Sequence, residues 1–213
     1  EAGLETIHVA GRVYMLQTPT AGGNIGVFVG DDGVVLVDDQ FAGWSDSLMA
    51  AIAAITDAEV RFVINTHVHP DHIGGNERLA DLGAIIVAHE NVRGRMLKEL
   101  RIPRRGGVSF SRPPKGARPV VTFTESVDLH MSGEEVRVFR VPSAHTDGDS
   151  FVFFPESNVL HTGDVFRTNM YPIIDVYNGG SFSGMIEALE IAIDLSGPET
   201  RVIPGHGFGF TNR

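Results

Sequence analysis

Short apolar runs separated by clusters of turn-forming residues recur along the whole chain, and this pattern predicts a strand-rich protein. In the first half we expect strands at residues 7–10, 13–16, 26–29, 34–37, 62–64 and 85–88. In the second half we expect strands at residues 120–123, 127–130, 136–141, 151–154, 158–160 and 201–203. The Asp-Asp-Gly tripeptide at residues 31–33 predicts a hairpin between the third and fourth of these strands.

Apolar residues at helical spacing predict the helices that connect the strands. We expect helices at residues 45–56, 89–100 and 185–195, and a short helix that ends near residue 81. Turn-forming residues at 17–24 predict a mobile loop. Because the two halves repeat a similar order of strands and helices, we predict the α/β class. The expected architecture is a four-layer αββα sandwich of two mixed β-sheets flanked by helices, formed by one domain over residues 1–213.

A dense group of metal-binding side chains follows the apolar run at residues 62–64. His67, His69, Asp71 and His72 lie within six residues, directly before a stretch that predicts the start of a helix. In an extended segment His67 and His69 point to the same side, so one cation can take both imidazoles. Asp71 and His72 turn away at the start of the next element, where a second cation can bind them.

Three more candidate ligands occur at strand ends: His145 in Pro-Ser-Ala-His-Thr, Asp164 in His-Thr-Gly-Asp, and His206 in Ile-Pro-Gly-His-Gly. Asp38 ends the apolar run at residues 34–37. In this order, the motifs resemble those of the metallo-β-lactamase superfamily, and the resemblance spans nearly the whole chain. It implies the metallo-β-lactamase fold and a hydrolase that binds two zinc ions per chain.

The resemblance also implies which residues bind metal. Two groups of three side chains would each hold one zinc ion: His67, His69 and His145 the first, and Asp71, His72 and His206 the second. Asp164 would bridge the two ions, and we predict Asp71 and Asp164 as the catalytic carboxylates. Imidazoles and carboxylates without a thiolate suit zinc, and also iron or manganese. A hydroxide held between two such ions would attack the substrate carbonyl.

The remaining candidates near these motifs have supporting or structural interpretations. Asp38 is either a turn or helix-cap residue or, as the resemblance implies, a group that orients the metal-binding loop. We interpret His89 as a helix-start or surface residue and His130 as a structural residue of a strand. His161, beside Asp164, is interpreted as a packing residue or a support for the ligands.

Composition narrows the functional classes. The 213 residues are 42% hydrophobic and 21% charged, an ordinary globular composition. The net charge of −10 argues against nucleic acid as a partner. The absence of cysteine excludes disulfides and thiolate zinc ligands. No apolar run approaches the length of a transmembrane helix.

Basic residues concentrate between residues 93 and 118, which hold nine of the chain's 17 Lys and Arg residues and a single acid, Glu99. Proline and glycine residues predict that the later part of this basic stretch is a loop rather than a packed element. We favour the interpretation of this stretch as a solvent-exposed loop. The alternative is a basic lid that draws in an anionic substrate.

Two residues bear on the substrate. Arg167 follows Asp164 by three residues, where β-lactamases of the superfamily often place a Lys that binds the substrate carboxylate, and Arg suits a bidentate contact. Asn178, in Tyr-Asn-Gly-Gly-Ser, resembles their loop Asn that faces the carbonyl oxygen. The alternatives are a surface charge for Arg167 and a turn or helix-cap residue for Asn178.

The residue at position 164 directs the choice of branch. Many β-lactamases of the superfamily carry a Cys in this region, whereas the glyoxalase II, lactonase and general hydrolase branches carry Asp. We therefore predict a dinuclear zinc hydrolase that attacks the carbonyl group of a small anionic substrate. β-Lactam hydrolysis would be a main or a side activity. The alternatives are a thioesterase or lactonase of the glyoxalase II-like branch and an iron-dependent redox member of the fold. A non-catalytic member is disfavoured because every ligand position is filled.

The chain starts at Glu1 instead of Met, so we expect that an upstream segment was removed, by signal-peptide cleavage or by a cut in the sequence. We therefore favour a periplasmic or secreted location over a cytoplasmic one. We expect a small-molecule substrate as the partner, and neither a nucleic acid nor a membrane. The sequence leaves the oligomeric state open.

Overall fold

The computed structural model of the chain describes residues 3–19, 22–102 and 107–212. The predicted loop at 17–24 and the basic stretch at 93–118 include residues 20–21 and 103–106, which lie outside the described residues. Within the described part, the strands form two large sheets and one two-stranded ladder.

The first sheet has seven strands in the order β1-β2-β3-β4-β5-β6-β9. Their bounds are β1 (Glu5–Ala10), β2 (Val13–Gln17), β3 (Ile25–Gly30), β4 (Gly33–Val37), β5 (Val60–Asn65), β6 (Ile85–His89) and β9 (Val121–Phe123). Strands β1 to β4 pair antiparallel, whereas β4, β5, β6 and β9 pair parallel. Because β4 and β5 are parallel, the residues that follow them emerge at the same edge of the sheet.

The second sheet has six strands in sequence order, from β10 to β15. Their bounds are β10 (Ser126–Met131), β11 (Glu134–Arg140), β12 (Ser150–Phe154), β13 (Val159–His161), β14 (Arg201–Ile203) and β15 (Thr211–Asn212). All neighbours pair antiparallel except β13 and β14. The parallel β13 and β14 therefore also deliver their following loops to one edge.

Helices cover the outer faces of both sheets, and their bounds are α1 (Ser45–Ala53), α2 (Pro70–Ile73), α3 (Asn76–Asp81), α4 (Glu90–Arg95) and α5 (Phe182–Leu195). Between the sheets lies one apolar core, in which the rings of Phe28 and Phe154 stack with centroids 6.0 Å apart. On the far side of the first sheet, Leu48 of α1 and Leu79 of α3 pack against its strands. On the far side of the second, Met185 of α5 does the same. These four layers confirm the predicted αββα sandwich. The assignment of one domain to residues 1–213 stays a prediction.

The structure corrects two predictions in the basic stretch. The expected helix at 89–100 ends at Arg95, and β7 (Leu100–Ile102) pairs antiparallel with β8 (Val108–Phe110). Leu100 and Ile102 are buried and Arg101 is exposed, the alternation of a strand with one covered face. The prediction that the later part of the stretch is all loop is therefore wrong as well. Strand β15 was not predicted because two polar residues carry no periodic signal.

Candidate metal centre

The predicted ligands meet at the edge where the parallel strands of both sheets end. His67 and His69 follow β5, and Asp71 and His72 lie in the single turn of α2. Asp164 lies in a 3₁₀ helix after β13, and His206 follows β14. His145 precedes β12. The Thr66 carbonyl accepts a hydrogen bond from the Ser150 amide at 2.9 Å, which joins the two sheets at this edge.

His67, His69 and His145 form the first group, whose ligand atoms lie within 4.8 Å of one another. His69 Nδ1 and His145 Nε2 are 2.9 Å apart. The three rings are packed closely, with centroid separations of 4.6–4.9 Å. This is the set predicted for the first zinc ion.

Asp71, His72 and His206 form the second group, also within 4.8 Å. His72 Nε2 lies 3.3 Å from His206 Nε2. Asp71 Oδ2 lies 3.4 Å from His206 Nε2 and 4.0 Å from His72 Nε2. This is the set predicted for the second ion.

Asp164 lies between the two groups. Its Oδ1 is 3.3 Å from His72 Nε2 and 3.2 Å from His206 Nε2. Its Oδ2 is 3.7 Å from His145 Nε2. One carboxylate oxygen thus faces each group, which is the arrangement a bridging ligand requires.

The residues fit a pair of metal ions. Four ligands at zinc-bonding distance in a tetrahedron lie roughly 3.3 Å from one another, and the atoms above are separated by similar distances. His67 Nε2 is buried without a hydrogen-bond partner among the described residues. A buried nitrogen of this kind is costly unless a ligand occupies it, and it points to a metal ion in the first group.

Two of the ligand histidines are oriented from the first sheet. His67 Nδ1 lies 3.0 Å from Thr66 Oγ1, and that hydroxyl donates to Asp38 Oδ2 at 2.7 Å. His72 Nδ1 donates to the same carboxylate at 2.7 Å. Asp38 Oδ1 in turn accepts from the Thr66 amide at 2.7 Å. The acceptors contact Nδ1 of each ring, so Nε2 is the nitrogen that faces the metal site. Buried acceptors behind ligand histidines commonly fix the ring orientation in this way.

These bonds decide between the two interpretations of Asp38. The residue caps no helix, since the neighbouring 3₁₀ helix and α1 are capped by Phe41 and Trp44. Its backbone has a positive φ of 65°, so it does lie in a turn. Although Asp38 falls in a third group with His67 and His72, its oxygens already accept from Thr66 and His72. We therefore assign it to the support of the ligands.

The other two supports come from loops of the second half. His69 Nε2 lies 2.9 Å from Asp175 Oδ2 and His145 Nδ1 lies 2.7 Å from the Ile173 carbonyl. Asp149 Oδ2 accepts from the His145 amide at 2.6 Å, which fixes the His145 loop. Neither Asp175 nor Asp149 was predicted, and neither lies in a ligand motif. Burial opposes ionisation of Asp175, but hydrogen bonds from His69 and Asn178 lower its pKa to about 2.

The electrostatics suit metal binding. Burial, and then the neighbouring imidazoles, lower the pKa of His67 and of His69. Burial opposes ionisation of Asp164 too, but His206 and His72 outweigh it and hold its pKa well below the ordinary value. Burial would also lower the pKa of His72, yet Asp38, Asp164 and Asp71 raise it well above the ordinary value. A cation that displaces the His72 proton would satisfy the same carboxylates.

Glycine is required at two points of the centre. A Cβ at Gly205 would lie 2.3 Å from Asp164 Oδ1. A Cβ at Gly163, whose φ is 51°, would lie 2.7 Å from Thr66 Oγ1. The close approach of backbone to ligands thus explains the glycine before each of the ligands Asp164 and His206.

A cavity of about 230 Å³ opens beside the first group and Asp164. Its apolar wall consists of Ile102, Ile173, Ile174, Val176 and Tyr177. Arg167 also lines it, with its side chain 8% exposed and Nη1 3.9 Å from Asp164 Oδ2. The surface-charge alternative for Arg167 is therefore wrong. The guanidinium lies next to the ligands, and its contact with a substrate stays a prediction.

Asn178 lies elsewhere. It lines a neighbouring cavity of about 470 Å³ and not the cavity at the ligands. Its Nδ2 donates to Asp175 Oδ2 at 2.6 Å and to the Arg101 carbonyl at 3.1 Å. Because these bonds use the amide, the geometry favours a supporting role for Asn178 over the predicted contact with the substrate carbonyl.

The other histidines follow their interpretations. His89 caps α4 and accepts from the Asn91 amide, as a helix-start residue does. His130 is an exposed residue of β10. His161 is fully buried, accepts from the Gly163 amide at 3.2 Å, and has its pKa lowered by burial to about 4, so it supports the Asp164 loop as a neutral ring.

The fold and the site together define a family. The profile of the Metallo-beta-lactamase superfamily matches residues 18–206. The chain therefore belongs to the metallo-beta-lactamase superfamily.

Similar structures agree on the fold. A metallo-beta-lactamase from Pontibacter korlensis superimposes with a TM-score of 0.79 at 17% identity, covering 98% of this chain and 93% of the other. The DIM-1 metallo-beta-lactamase superimposes with a TM-score of 0.75 at 18% identity, covering 99% and 92%.

Relatives by sequence differ in their reactions. A linear primary-alkylsulfatase of a Pseudomonas species is 26% identical over 71% of this chain and 35% of its own length. A coenzyme oxidase of Methanothermobacter marburgensis is 24% identical over 74% and 37%. A type 2 metallo-beta-lactamase of Bacillus cereus is 26% identical over 82% and 63%. The chain thus spans about a third of the first two relatives and 63% of the third. Among the described residues, no helix has the length and apolar character needed to span a membrane.

Proposed function

We propose that this protein is a dinuclear zinc hydrolase that attacks the carbonyl group of a small anionic substrate. The observation that carries the proposal is Asp164, whose two oxygens face two separate groups of three ligands at 3.2–3.7 Å. Two ions bound there would supply a nucleophile at neutral pH and polarise the bond under attack. Iron or manganese could occupy the same imidazole and carboxylate ligands.

The chain's own residues divide the remaining work. Four of the five ligand histidines have one nitrogen held by a support, at Thr66, Asp38, Asp175 or Ile173, which directs the other nitrogen to the metal group. Asp164 and Asp71 would offset part of the positive charge of the two ions. Arg167, whose guanidinium lies beside Asp164, offers it to an anionic group of the substrate.

The cavity supports a substrate with two unlike ends. Arg167 and the ligands form its polar side, and the apolar wall from Ile102 to Tyr177 forms the other. Apolar walls with few polar groups are typical of small-molecule sites. β-Lactams, lactones and thioesters each combine a reactive carbonyl with such parts, and the similarity to the Bacillus cereus metallo-beta-lactamase supports including β-lactams.

A redox reaction at iron is the second candidate. It is supported by the similarity to the Methanothermobacter marburgensis oxidase. The ligand set is compatible with iron, so the metal that sustains activity separates the two candidates.

The test is a panel of hydrolysis assays on protein loaded with two zinc ions. A β-lactam, a lactone, a glutathione thioester and a phosphodiester are compared, each with and without a chelator. Asp164→Asn removes the shared carboxylate, and Asp46→Asn makes the same change at an exposed residue of α1. We expect chelator-sensitive turnover of at least one carbonyl substrate, lost in Asp164→Asn and kept in Asp46→Asn. No turnover of any carbonyl substrate with both ions bound, but activity with iron and a reductant, would overturn the proposal.

A further inference from the structure

We infer that Asn178 is a positioning residue for the first metal group, acting through Asp175 on His69 and held in place by Arg95. The inference rests on the proposed two-metal site but not on the reaction catalysed there. It gives a role to Arg95, the residue of the basic stretch that ends α4.

The amide of Asn178 is fixed in one orientation. The residue is 2% exposed. Its Nδ2 donates to Asp175 Oδ2 and to the Arg101 carbonyl, and its Oδ1 accepts from Arg95 Nη1 at 3.1 Å. A side-chain amide has two N–H groups and one carbonyl oxygen. All of them are engaged here, so rotation of the amide would replace attractive contacts with repulsive ones.

Asp175 passes this orientation to the metal ligand. Its Oδ2 accepts from Asn178 Nδ2 and lies 2.9 Å from His69 Nε2, while its Oδ1 accepts from the backbone N–H of Asn178 at 3.1 Å. With the Nε2 proton of His69 directed at Asp175, Nδ1 is the nitrogen that faces the first group. A shift of the carboxylate would therefore rotate the imidazole away from its partners.

Arg95 supplies the rigid end of this network. Its Nε and Nη2 donate to the two oxygens of Asp147 at 2.7 and 2.6 Å. This bidentate pair fixes the guanidinium plane, and the third nitrogen, Nη1, reaches Asn178 Oδ1. Three hydrogen bonds thus connect Arg95 to His69. Because Asp147 balances the charge of Arg95, attraction of an anionic substrate is not what this arginine provides.

The experiment is a zinc titration of protein labelled with nitrogen-15 in its histidine rings. The ring signals report the first group through His69 and the second through His72, so each site is followed separately. The variants are Asn178→Ala, which removes the amide, and Asn178→Asp, which places an oxygen against Asp175 Oδ2. Arg93→Met is the control, since Arg93 lies on the same helix and bonds the Pro119 carbonyl outside the network.

We expect Asn178→Ala to weaken zinc binding at the first group about tenfold, the lower end of the range for residues behind a metal ligand. Asn178→Asp should lose more, and the second group should stay within twofold. Arg93→Met should match wild type at both groups. Circular dichroism confirms that each variant is folded before titration. If Asn178→Ala fails to fold, Arg95→Lys replaces it, with a smaller loss expected at the first group alone.

Two results would overturn the inference without touching the proposed function. In the first, wild-type protein binds two zinc ions, and the folded variants Asn178→Ala and Arg95→Lys bind zinc at the first group with unchanged affinity. In the second, zinc affinity falls equally at both groups in the Asn178 variants, and it falls in Arg93→Met as well, which would indicate general destabilisation. Wild-type protein that binds no zinc would overturn the proposed function and this inference together.

Discussion

Asp38→Asn tests the support of the second metal group with a change of one atom. Asp38 is fully buried and accepts three hydrogen bonds of 2.7 Å each, from the Thr66 amide, the Thr66 hydroxyl and His72 Nδ1. Asn has nearly the same shape, but one of its two polar atoms donates instead of accepting. At least one of the three contacts must therefore be lost or reversed.

The magnitude follows from which contact is lost. With the amide nitrogen at the Oδ1 position, the Thr66 N–H is buried without an acceptor, at a cost of about 1–3 kcal/mol. With the nitrogen at the Oδ2 position, His72 must move its proton to Nε2 to accept at Nδ1. That proton occupies the lone pair that binds metal. Changes behind a metal ligand lower affinity about 10–100-fold, and we expect a loss in this range.

The assay has two parts. Urea unfolding in a chelator should show the metal-free variant destabilised by about 1–3 kcal/mol. Zinc titration should show the second group weakened most, because His72 contacts Asp38 directly, with a smaller loss at the first group, which Asp38 reaches through Thr66 and His67. Asp46→Asn is the matched control because Asp46 is exposed. Unchanged zinc affinity at the second group, in a variant that unfolds like wild type, would refute the assignment of Asp38 as a support.

Three further predictions concern other parts of the molecule. Arg167→Ala should raise KM for anionic substrates about 10–100-fold, the equivalent of a charged hydrogen bond, and leave neutral esters within twofold; equal effects on both would remove the anchor role. Gly205→Ala should abolish binding of at least one zinc ion because its Cβ would collide with Asp164, whereas Gly197→Ala, with its nearest atom 3.9 Å away, should not; equal zinc content in the two variants would contradict this. Phe154→Ala should destabilise the protein by about 3–5 kcal/mol in urea unfolding while both zinc ions still bind, since the ring lies between the sheets; a loss below 1 kcal/mol would contradict this packing.

The ligands could be predicted from the sequence because each lies in a short local pattern. His67 to His72 follow a recognisable strand, and His206 follows a strand and a Pro-Gly turn. Short apolar runs between turn-forming residues predicted the strands of the large sheets for the same reason, since each run is a local signal of burial.

Apart from Asp38, whose orienting role the family resemblance implied as one of two interpretations, the supports could not be predicted, because they depend on tertiary contacts between distant segments. Asp175 lies 106 positions from His69 in the sequence. The only local signal around Asp175 is its position three residues before Asn178, and this spacing indicates a turn. Leu100 was assigned to a helix because its spacing from Val92 and Met96 fits a helical face. Its burial in the same apolar cluster is instead achieved from a strand. The role of Arg95 depends on Asp147, which lies in another loop.

Diffraction at the zinc absorption edge from crystals loaded with zinc tests the central claim most directly. The account predicts two anomalous peaks per chain, each about 2.0–2.2 Å from its nitrogen and oxygen ligands. One should lie among His67 Nε2, His69 Nδ1 and His145 Nε2, and the other among the side chains of Asp71, His72 and His206, with Asp164 touching both. A single peak, or a second peak that does not contact Asp164, would contradict the shared two-metal centre.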